Sequence, residues 1–428
     1  MFDEQIASDF VQMFPETRES LRTVGREAEY VVVNSHGFAV DIEPLLHKIF
    51  EQYNDYSIVR KDGVNIGIKT ADHQFLKEVG KGTIEVVSRP CSDLWELRGV
   101  HQVAMRRLLS EASKIEYSIL GIGLQPRTTP SWDFLTKKPH YRVLYTLIPE
   151  VWDWFELMAG DQLHISIQQN ELLTVVNLAN AASFIVAALC GNSSIYDSQI
   201  APAVSYREYH LQQLLSDNNR HGPAPFAPTM EDLISNVSSR RHLFFSDAEH
   251  YRTDYGSFRN WTNSFNGYTE EIFHEYLFHS HYNWNSARLR PLTGTIEMRA
   301  SCQLPPAIDG ASSALYLGLV EGVDDLYPLL SKMFTHSKEL YLDTCLRGMT
   351  DVDTSLIRQV LDVCSQSLSD RGREENLLLD PMYRILDAKE NPGQKMRNIF
   401  QTEGLMCVCS MELWPVEHRV SVQLSGGF

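Results

Sequence analysis

The sequence is short of positive charge. Its 38 lysines and arginines are outnumbered by 55 aspartates and glutamates, which gives a formal net charge of −17. A protein that binds the phosphates of nucleic acids needs a basic surface, and so does one that binds an anionic membrane. The composition therefore argues against both of these partners. It still allows a local basic pocket for a nucleotide.

Cysteine is scarce, and its spacing is irregular. Seven cysteines are scattered along the 428 residues, and only Cys407 and Cys409 are close together. No second Cys or His pair has the spacing of a zinc site, and an odd number of scattered thiols is typical of a reduced protein. The first ten residues are acidic and lack the charged and apolar regions of a signal peptide. We therefore expect a cytoplasmic protein.

Long hydrophobic runs are rare as well. The most apolar stretch runs from Leu172 to Cys190, about the length of a membrane span, but it contains Asn177, Asn180 and Ser183. Polar side chains in the middle of the run and Gly191 at its end favour one buried core helix over a membrane span.

Glycine-rich phosphate-binding loops are absent. Neither Gly-x-x-x-x-Gly-Lys-Ser/Thr nor Gly-x-Gly-x-x-Gly occurs in the chain. Any nucleotide chemistry must therefore use another architecture, with metal ions and arginines in place of a backbone cradle.

What the sequence does contain is a recurring type of strand, apolar on one face and chargeable on the other. Alternation along a strand places residues i and i+2 on the same face. The chargeable residues of the four strands are Glu27 and Glu29, Glu85, Gln162 and His164, and Glu297 and Arg299. In the fourth strand the same alternation predicts that Ser301 lies beside Arg299.

The four strands favour a shared site if they belong to one sheet, because four glutamates and one histidine would then converge. Magnesium prefers oxygen ligands, and the guanidinium fork of arginine binds phosphate or carboxylate. Arg288 and Arg290 lie a few residues before Glu297. The combination predicts nucleotide phosphate chemistry. The alternative is a set of solvated strand faces with ordinary ion pairs.

Two other regions have a distinct character. Residues 250–268 are rich in aromatic side chains, which is typical of a lid or a substrate wall; they include Tyr251, Arg252, Tyr255, Phe258, Trp261, Phe265 and Tyr268. Residues 310–410 have the periodicity of helices and carry no clustered carboxylates on strands.

Six segments in order resemble the carboxylate–amine ligase branch of the glutamate–cysteine ligase family, in the glutamine synthetase superfamily. The resemblance extends from about residue 23 to residue 305. The segments are Gly25-Arg-Glu-Ala-Glu-Tyr30, Glu78 and Glu85 with Ser88-Arg-Pro-Cys91, Gln162-Leu-His-Ile-Ser166, Asn192-Ser-Ser194, Ser205-Tyr-Arg207, and Trp284 to Arg299.

The resemblance implies an α+β fold in which a mainly antiparallel sheet forms a funnel-like site and helices pack on its outer face. It implies two or three Mg²⁺ ions and ATP as a co-substrate. A carboxylate, usually the γ-carboxylate of glutamate, is phosphorylated and then attacked by an amine. Residues 1–305 would be the catalytic part, and residues 306–428 a helical portion packed on the same domain.

The matching positions assign roles to individual residues. The metal ligands implied in this way are Glu27, Glu29, Glu78, Glu85, His164 and Glu297. The catalytic residues are Arg288, Arg290 and Arg299, and the substrate-binding residues are Arg207, Ser193, Ser194 and Gln162. Arg288 and Arg290 are candidates for the γ-phosphate.

Three positions depart from the family pattern. Gln162 stands where the family has a histidine, Ser301-Cys302 where it has an aspartate, and Ile195 where it has a proline. We expect an active ligase with altered substrates, which are small amino acids or short peptides. Two alternatives stay open: a degenerate member that binds a nucleotide or metabolite and regulates a partner, and a guanidino kinase-like phosphotransferase. A homo-oligomer is compatible with all three.

Overall fold

The computed structural model describes residues 2–17, 21–61, 63–215, 219–243, 256–411 and 413–415. The strands in these ranges are β1 (Val24–Val33), β2 (Ser57–Lys61), β3 (Val64–Lys69), β4 (His73–Lys77), β5 (Thr83–Ser88), β6 (Ser118–Leu120), β7 (Gly160–Ser166), β8 (Ile195–Tyr196), β9 (Gln199–Ile200), β10 (His221–Gly222), β11 (Trp284–Asn285), β12 (Ala287–Arg290) and β13 (Thr295–Cys302). The helices are α1 (Asp3–Gln12), α2 (Glu43–Gln52), α3 (Leu94–Ser113), α4 (Pro139–Leu147), α5 (Pro149–Phe155), α6 (Leu172–Ala181), α7 (Ser183–Cys190), α8 (Tyr206–Leu214), α9 (Met230–Ser238), α10 (Phe258–Thr262), α11 (Glu270–His281), α12 (Ala311–Glu321), α13 (Val323–Leu330), α14 (Ser337–Arg347), α15 (Thr354–Asp370), α16 (Asp380–Ala388), α17 (Pro392–Glu403) and α18 (Leu405–Met411).

A central antiparallel sheet organises the chain. Its strand order is β12-β13-β7-β1-β5-β4-β3-β2, with β6 paired to the end of β1, and it does not close into a barrel. The four strands that the sequence marks as polar on one face are neighbours in this order, β13-β7-β1-β5. The predicted α+β class with a mainly antiparallel sheet is therefore confirmed.

The apolar face of the sheet explains why the polar face is available for chemistry. On β1, Ala28, Tyr30 and Val32 are fully buried and pack against the helices α2 and α3. On β7 and β13, Leu163 and Ile296 are fully buried in a larger core. Burying one such side chain stabilises the fold by roughly 1.5–3 kcal/mol. This apolar face packs against helices, and the opposite face of the sheet carries the polar residues.

The apolar run of residues 172–190 is not the single helix that its pattern predicts. It forms α6 and α7, which meet at Ala182 with a bend of 44°. The hydroxyl of Ser183 donates to the carbonyl of Asn180 at 2.7 Å, and Asn180 Nδ2 donates to Val176 O at 2.9 Å. Such side-chain bonds to helix carbonyls bend helices. Gly191 ends α7 as predicted, with extended rather than left-handed backbone.

Membrane-spanning potential is limited to this bent pair. No single helix among the described residues is long and apolar enough to cross a membrane, while residues 169–190 pass on length and composition only as two helices joined at the bend.

The predicted helical periodicity of residues 310–410 is confirmed, since the described chain between residues 306 and 411 consists of helices and short connections, and these helices contribute to the main core. Helix α12 is buried along its length and packs against β7 and α15. Gly318 permits this approach, because a Cβ at that position would lie 2.6 Å from Cys364 Cβ. The same core cluster contains residues from Ile6 to Leu386.

The aromatic segment of residues 250–268 is only partly described, and Tyr251, Arg252 and Tyr255 lie outside the described residues. Phe258 and Trp261 belong to α10 and are buried in the main core, where the Phe258 ring stacks on His279 at 5.0 Å between centroids. The interpretation as a lid or substrate wall is therefore wrong for these two residues. Large aromatic side chains serve a core equally well, so composition does not separate the two uses.

Candidate active site

Three strands bring together one histidine and two glutamates. His164 on β7 lies opposite Glu297 on β13, and its Nε2 is 3.3 Å from Glu27 Oε1 on β1. One ligand atom of each of the three residues lies within 4.8 Å of the others. The hydroxyl of Thr295 is 3.0 Å from His164 Nδ1 and orients the imidazole ring. Oxygen ligands with one imidazole suit a divalent cation such as Mg²⁺ or Mn²⁺.

A second acidic group lies beside the first. Glu29 on β1 is directly opposite Glu85 on β5. Burial, followed by the charge of Glu78, raises the pKa of Glu29 to about 7. Burial, followed by the charges of Glu78, Glu27 and Glu29, raises the pKa of Glu85 well above its usual range. Carboxylates crowded in this way ionise together only when cations neutralise them.

Arginines surround Glu297 on the other side of the histidine. Arg288 binds it with two hydrogen bonds, from Nε to Oε2 at 2.7 Å and from Nη2 to Oε1 at 3.0 Å. Arg290 Nε lies 3.4 Å from Oε2, and Arg299 contacts Oε1. Burial alone would raise the pKa of Glu297, but the three arginines reverse this effect and hold it well below its usual range. The site therefore has an acidic half and a basic half.

Gln162 joins the two halves. Its Nε2 donates to Glu29 Oε1 at 3.0 Å, and its Oε1 accepts from Arg299. A neutral amide can donate and accept at once. Gln162 is 3% exposed, so both contacts are shielded from water.

Arg207 lies beneath the acidic half, at the start of α8. Its backbone N–H donates to Ser193 Oγ at 3.0 Å, and its side chain approaches Gly160 so closely that a Cβ there would be 2.4 Å from Nη2. Burial would lower the pKa of Arg207, but the charge of Glu208, with smaller contributions from Cys302 and Glu29, raises it. Ser194 is different: its hydroxyl donates to Gly393 O at 2.6 Å, so it contacts the C-terminal helices and not the acidic group.

A β-bulge changes the prediction for the end of β13. The register against β7 shifts between Met298 and Ser301, so that Ser301 pairs with Asp161 and Cys302 with Gly160. Paired residues share a face. Asp161 belongs to the face packed on helices, so the prediction that Ser301 lies beside Arg299 is wrong. Cys302 takes the polar face, with its Sγ 3.5 Å from the hydroxyls of Ser193 and Ser205.

Two charged residues near the site carry no sequence signal that identifies them. Lys138 is buried, and its Nζ donates to Lys77 O at 2.6 Å and to Tyr141 Oη at 3.0 Å. Burial lowers its pKa, while the charges of Glu78 and Glu85 oppose this effect. It is a single lysine just before α4, and no motif in the sequence surrounds it.

Glu208 is the second missed residue. It pairs with Arg207, lies 3.0 Å from His221 Nε2 and accepts a hydrogen bond from Tyr341. Burial opposes ionisation, but Arg207 and His221 hold the pKa of Glu208 at about 2. Tyr341 is 133 residues away from Glu208 in the sequence, so no short motif indicates this contact.

An open cleft flanks the basic half. It has a volume of about 550 Å³ and is lined by Lys61, Phe278, His281, Arg288, Arg290 and Leu292, among others. Cations on one wall and apolar side chains on the other suit a ligand with an anionic end and a flat apolar end.

Comparisons with known proteins identify the family. The model of glutamate–cysteine ligase family 2 matches residues 23–339. A Rhodopirellula baltica protein named "Putative glutamate–cysteine ligase 2" is 27% identical over 187 residues, which cover 43% of this chain and 47% of that protein. The matched part is thus about half the length of that relative.

Two solved structures have a similar fold. The glutamate–cysteine ligase of Francisella tularensis, in complex with AMP, aligns with a TM-score of 0.54 at 10% identity, covering 93% of this chain and 88% of that chain. A bifunctional glutathione synthetase from Pasteurella multocida aligns with a TM-score of 0.52 at 10% identity, covering 96% of this chain and 52% of that chain. At this identity the structures show the fold alone. The match over residues 23–339 establishes that this chain belongs to glutamate–cysteine ligase family 2.

Proposed function

We propose that this protein is an ATP-dependent ligase that activates an amino-acid carboxylate as an acyl phosphate and joins it to an amine. The observation that carries the proposal is the group formed by Glu27, His164 and Glu297, whose ligand atoms lie within 4.8 Å of one another beside the buried pair Glu29 and Glu85. Such crowded acidic groups are stable with bound cations, and cations are what phosphoryl transfer between anions requires.

The chemistry divides into two steps. In the first, a carboxylate oxygen of the substrate forms a bond to the γ-phosphorus of ATP, and the bond to ADP breaks. In the second, the amine nitrogen attacks the acyl carbon, inorganic phosphate leaves, and the amine loses a proton. A carboxylate oxygen is a poor leaving group, whereas phosphate is a good one. This difference is the reason why the reaction consumes ATP.

Divalent cations would be held by Glu27, His164 and Glu297 in one place and by Glu29, Glu78 and Glu85 in another. When bound, they would neutralise the phosphate oxygens and polarise the phosphorus. The donor set fits this use, because it consists of carboxylates with a single imidazole.

The arginines have separate roles in this proposal. Arg288 and Arg290 line the open cleft and are suited to the γ-phosphate. Arg299 and Arg207 lie next to the acidic groups and are suited to a substrate carboxylate, which a guanidinium binds through two parallel hydrogen bonds. Ser193 supports Arg207, whereas Ser194 supports the neighbouring loop.

The substrates are small amino acids or a short peptide, with glutamate or a similar acid as the carboxylate donor. Gln162 and Cys302 alter the polar face next to Arg299 and Arg207. A neutral amide and a thiol recognise a different amine from the one that a histidine and an aspartate would select, because both changes remove a chargeable group.

A second candidate function is nucleotide binding without turnover. The ion pairing of Glu297 favours it, because Arg288, Arg290 and Arg299 already occupy both carboxylate oxygens. A metal ion at Glu297 must displace or share these contacts.

The deciding experiment measures amine-dependent release of ADP with Mg²⁺, screening amino acids in pairs, with mass spectrometry of the product. The wild-type protein should release ADP and form an amide, and Glu27→Gln should lower the rate by about 100-fold or more. Glu51→Gln, at an exposed position on α2, is the matched control and should keep the wild-type rate. Nucleotide binding without turnover would select the second candidate, and a stable phosphorylated product without an amide would indicate a phosphotransferase. A protein that neither turns over ATP nor binds Mg²⁺–nucleotide by calorimetry would refute the proposal.

A further inference from the structure

Two buried arginines lie outside the acidic site and have no carboxylate partner among the residues that the structure describes. Arg220 is 1% exposed and Arg240 is 4% exposed. Arg220 donates to the backbone oxygens of Tyr282, at 2.6 Å, and of Arg241. Within the described ranges no carboxylate forms an ion pair with either guanidinium. A buried charge without a counter-charge is unfavourable, and proteins normally pair it.

The contacts of Arg240 are all to neutral groups. Its Nη1 donates to the side-chain oxygens of Asn283, at 2.7 Å, and Asn285, at 2.8 Å. Its Nε is buried and has no hydrogen-bond partner within the described residues. Glu275, on the neighbouring helix α11, lies 3.4 Å from His242. The amides satisfy part of the guanidinium and leave its charge uncompensated.

The surroundings concentrate positive charge rather than dispersing it. Burial lowers the pKa of Arg220 to about 9, with a further contribution from Arg240 and Arg241, and burial lowers the pKa of Arg240 to about 10. Both arginines are therefore still charged at neutral pH. Burial and the charge of Arg220 hold the pKa of His279 well below its usual range, which keeps this histidine neutral.

A small cavity opens beside Arg240. Its volume is about 50 Å³, and its polar lining comprises Asn236, Arg240, Tyr276, Ser280, Asn283, Asn285 and Arg288. The remaining walls are apolar side chains such as Phe10 and Leu233. An engineered cavity that admits benzene has about 150 Å³, and one water needs roughly 10–15 Å³ of such space. The cavity therefore has room for a single-atom ion with a water molecule, and none for a nucleotide.

We propose that this cavity binds a small monovalent inorganic anion, a halide such as chloride, which compensates Arg240. The guanidinium of Arg240 supplies the charge and a buried Nε–H as donor, and the apolar walls exclude bulk water. The amide nitrogens of Asn283 and Asn285 donate to the backbone oxygens of His279 and Asn219, so their role is to hold Arg240 through their side-chain oxygens. A halide fits the volume better than a tetrahedral oxyanion does. The inference does not depend on the proposed reaction.

The site lies behind the basic half of the candidate active site. Arg288 donates from Nη1 to Asn283 O at 2.8 Å, and its other nitrogens bind Glu297. An anion held between Arg240 and Asn283 would thus rigidify the support of Arg288.

The test is thermal unfolding of the full-length protein at constant ionic strength, with sodium gluconate replaced stepwise by sodium chloride. The wild-type Tm should rise with chloride and reach a plateau. In Arg240→Met, the chloride-dependent rise should disappear, while the Tm in gluconate should equal or exceed that of the wild type, because the unpaired charge is gone. Arg106→Met, which removes an exposed arginine from α3, is the matched control and should keep the full chloride response.

Crystals of the wild-type protein soaked in bromide provide a second measurement, which is independent of any variant. An anomalous peak next to Arg240 in the cavity is expected. Identical Tm values in gluconate and chloride, a chloride response that survives in Arg240→Met, or bromide peaks confined to the surface would each overturn the proposal.

Discussion

Glu29 and Glu85 lie directly opposite each other on adjacent antiparallel strands, inside the protein and with Glu78 nearby. Like charges in this position destabilise a sheet. The arrangement lowers the stability of the metal-free protein, and the proposed function explains it as a place where cations would bind. It leads to a first prediction.

Replacing Glu85 with Gln should stabilise the metal-free protein by about 1–2 kcal/mol, because a neutral amide of the same shape replaces a carboxyl group whose ionisation is opposed by burial and by its acidic neighbours. Catalytic activity should fall in the same variant. Unfolding in urea with a chelator present measures the first effect, and ADP release measures the second. Glu51→Gln should change neither quantity. A Glu85→Gln protein that is less stable than the wild type without metal would show that the carboxylate stabilises the fold.

Addition of Mg²⁺ should raise the Tm of the wild-type protein, and a chelator should reverse the rise. A ligand that binds only the folded state at ten times its Kd adds about 1.4 kcal/mol of stability. The rise should be smaller in Glu27→Gln, because one ligand atom of the group with His164 and Glu297 is lost. Calcium and sodium at equal ionic strength separate specific binding from screening, and a sodium response of the same size would contradict the prediction.

Gly160→Ala should impair the site through Arg207. A Cβ at this position would be 2.4 Å from Arg207 Nη2, so the guanidinium must move away from Glu29. We expect the KM for the carboxylate substrate to rise by about tenfold or more, because the displaced guanidinium no longer contacts the anion. A tenfold rise corresponds to a loss of about 1.4 kcal/mol of binding free energy. Gly99→Ala, at an exposed position on the helix α3, is the control, because a Cβ there has no atom within 4 Å. Equal KM values in the two variants would show that Arg207 does not contribute to substrate binding.

Gln162→Met should uncouple the acidic half from the basic half. The substitution keeps the length of the side chain and removes the hydrogen bond to Glu29 Oε1 and the one from Arg299. Loss of a group that orients metal or substrate contacts typically costs 10–100-fold in activity. Steady-state kinetics measure the effect, and circular dichroism checks the fold. Wild-type kinetics in Gln162→Met would mean that the link has no role in turnover.

Mild acid should destabilise the fold through His101. This residue is 1% exposed, and its Nε2 is 2.7 Å from Tyr30 Oη. Burial, with a contribution from Arg26, lowers its pKa to about 3. The unfolded chain takes up a proton near pH 6.5, whereas the folded protein does not. Stability therefore falls as the pH drops from about 6.5 towards 3, by up to about 1.4 kcal/mol per pH unit for this group.

The free energy of unfolding between pH 7 and pH 5 tests this prediction. His101→Gln should flatten the pH dependence, whatever its effect on stability at pH 7. His47→Gln, at an exposed position on α2, should leave the slope unchanged. A slope that is identical in His101→Gln and in the wild type would assign the acid sensitivity to other groups.

The parts of the fold that alternation controls could be predicted from the sequence. The polar faces of β1, β5, β7 and β13 follow from residue spacing. Their common sheet is the condition under which the sequence predicts one site, and the strand order β13-β7-β1-β5 meets that condition. The contacts of Glu27 with His164 could be predicted in the same way, because each residue lies on a face that its neighbours in the chain define.

The rest depends on contacts between distant parts of the chain. The bend at Ala182 arises because Ser183 and Asn180 bond to helix carbonyls, and nothing in an apolar run specifies that geometry. Lys138 is held by a hydrogen bond to Tyr141, and Glu208 by one from Tyr341. Their positions therefore depend on packing rather than on a motif. Composition does not distinguish a buried helix from a substrate wall, because both use aromatic side chains such as those of Phe258 and Trp261.

The bulge in β13 has a consequence for engineering this chain. One extra residue between Met298 and Ser301 shifts the parity of the strand, so counting alternate residues from Glu297 assigns the wrong face to every position beyond the bulge. The side chain that reaches the polar face at this point is that of Cys302 rather than Ser301. Exchanging Ser301 alone would therefore alter the packing of helices and leave the polar face as it is, whereas exchanging Cys302 would change that face directly.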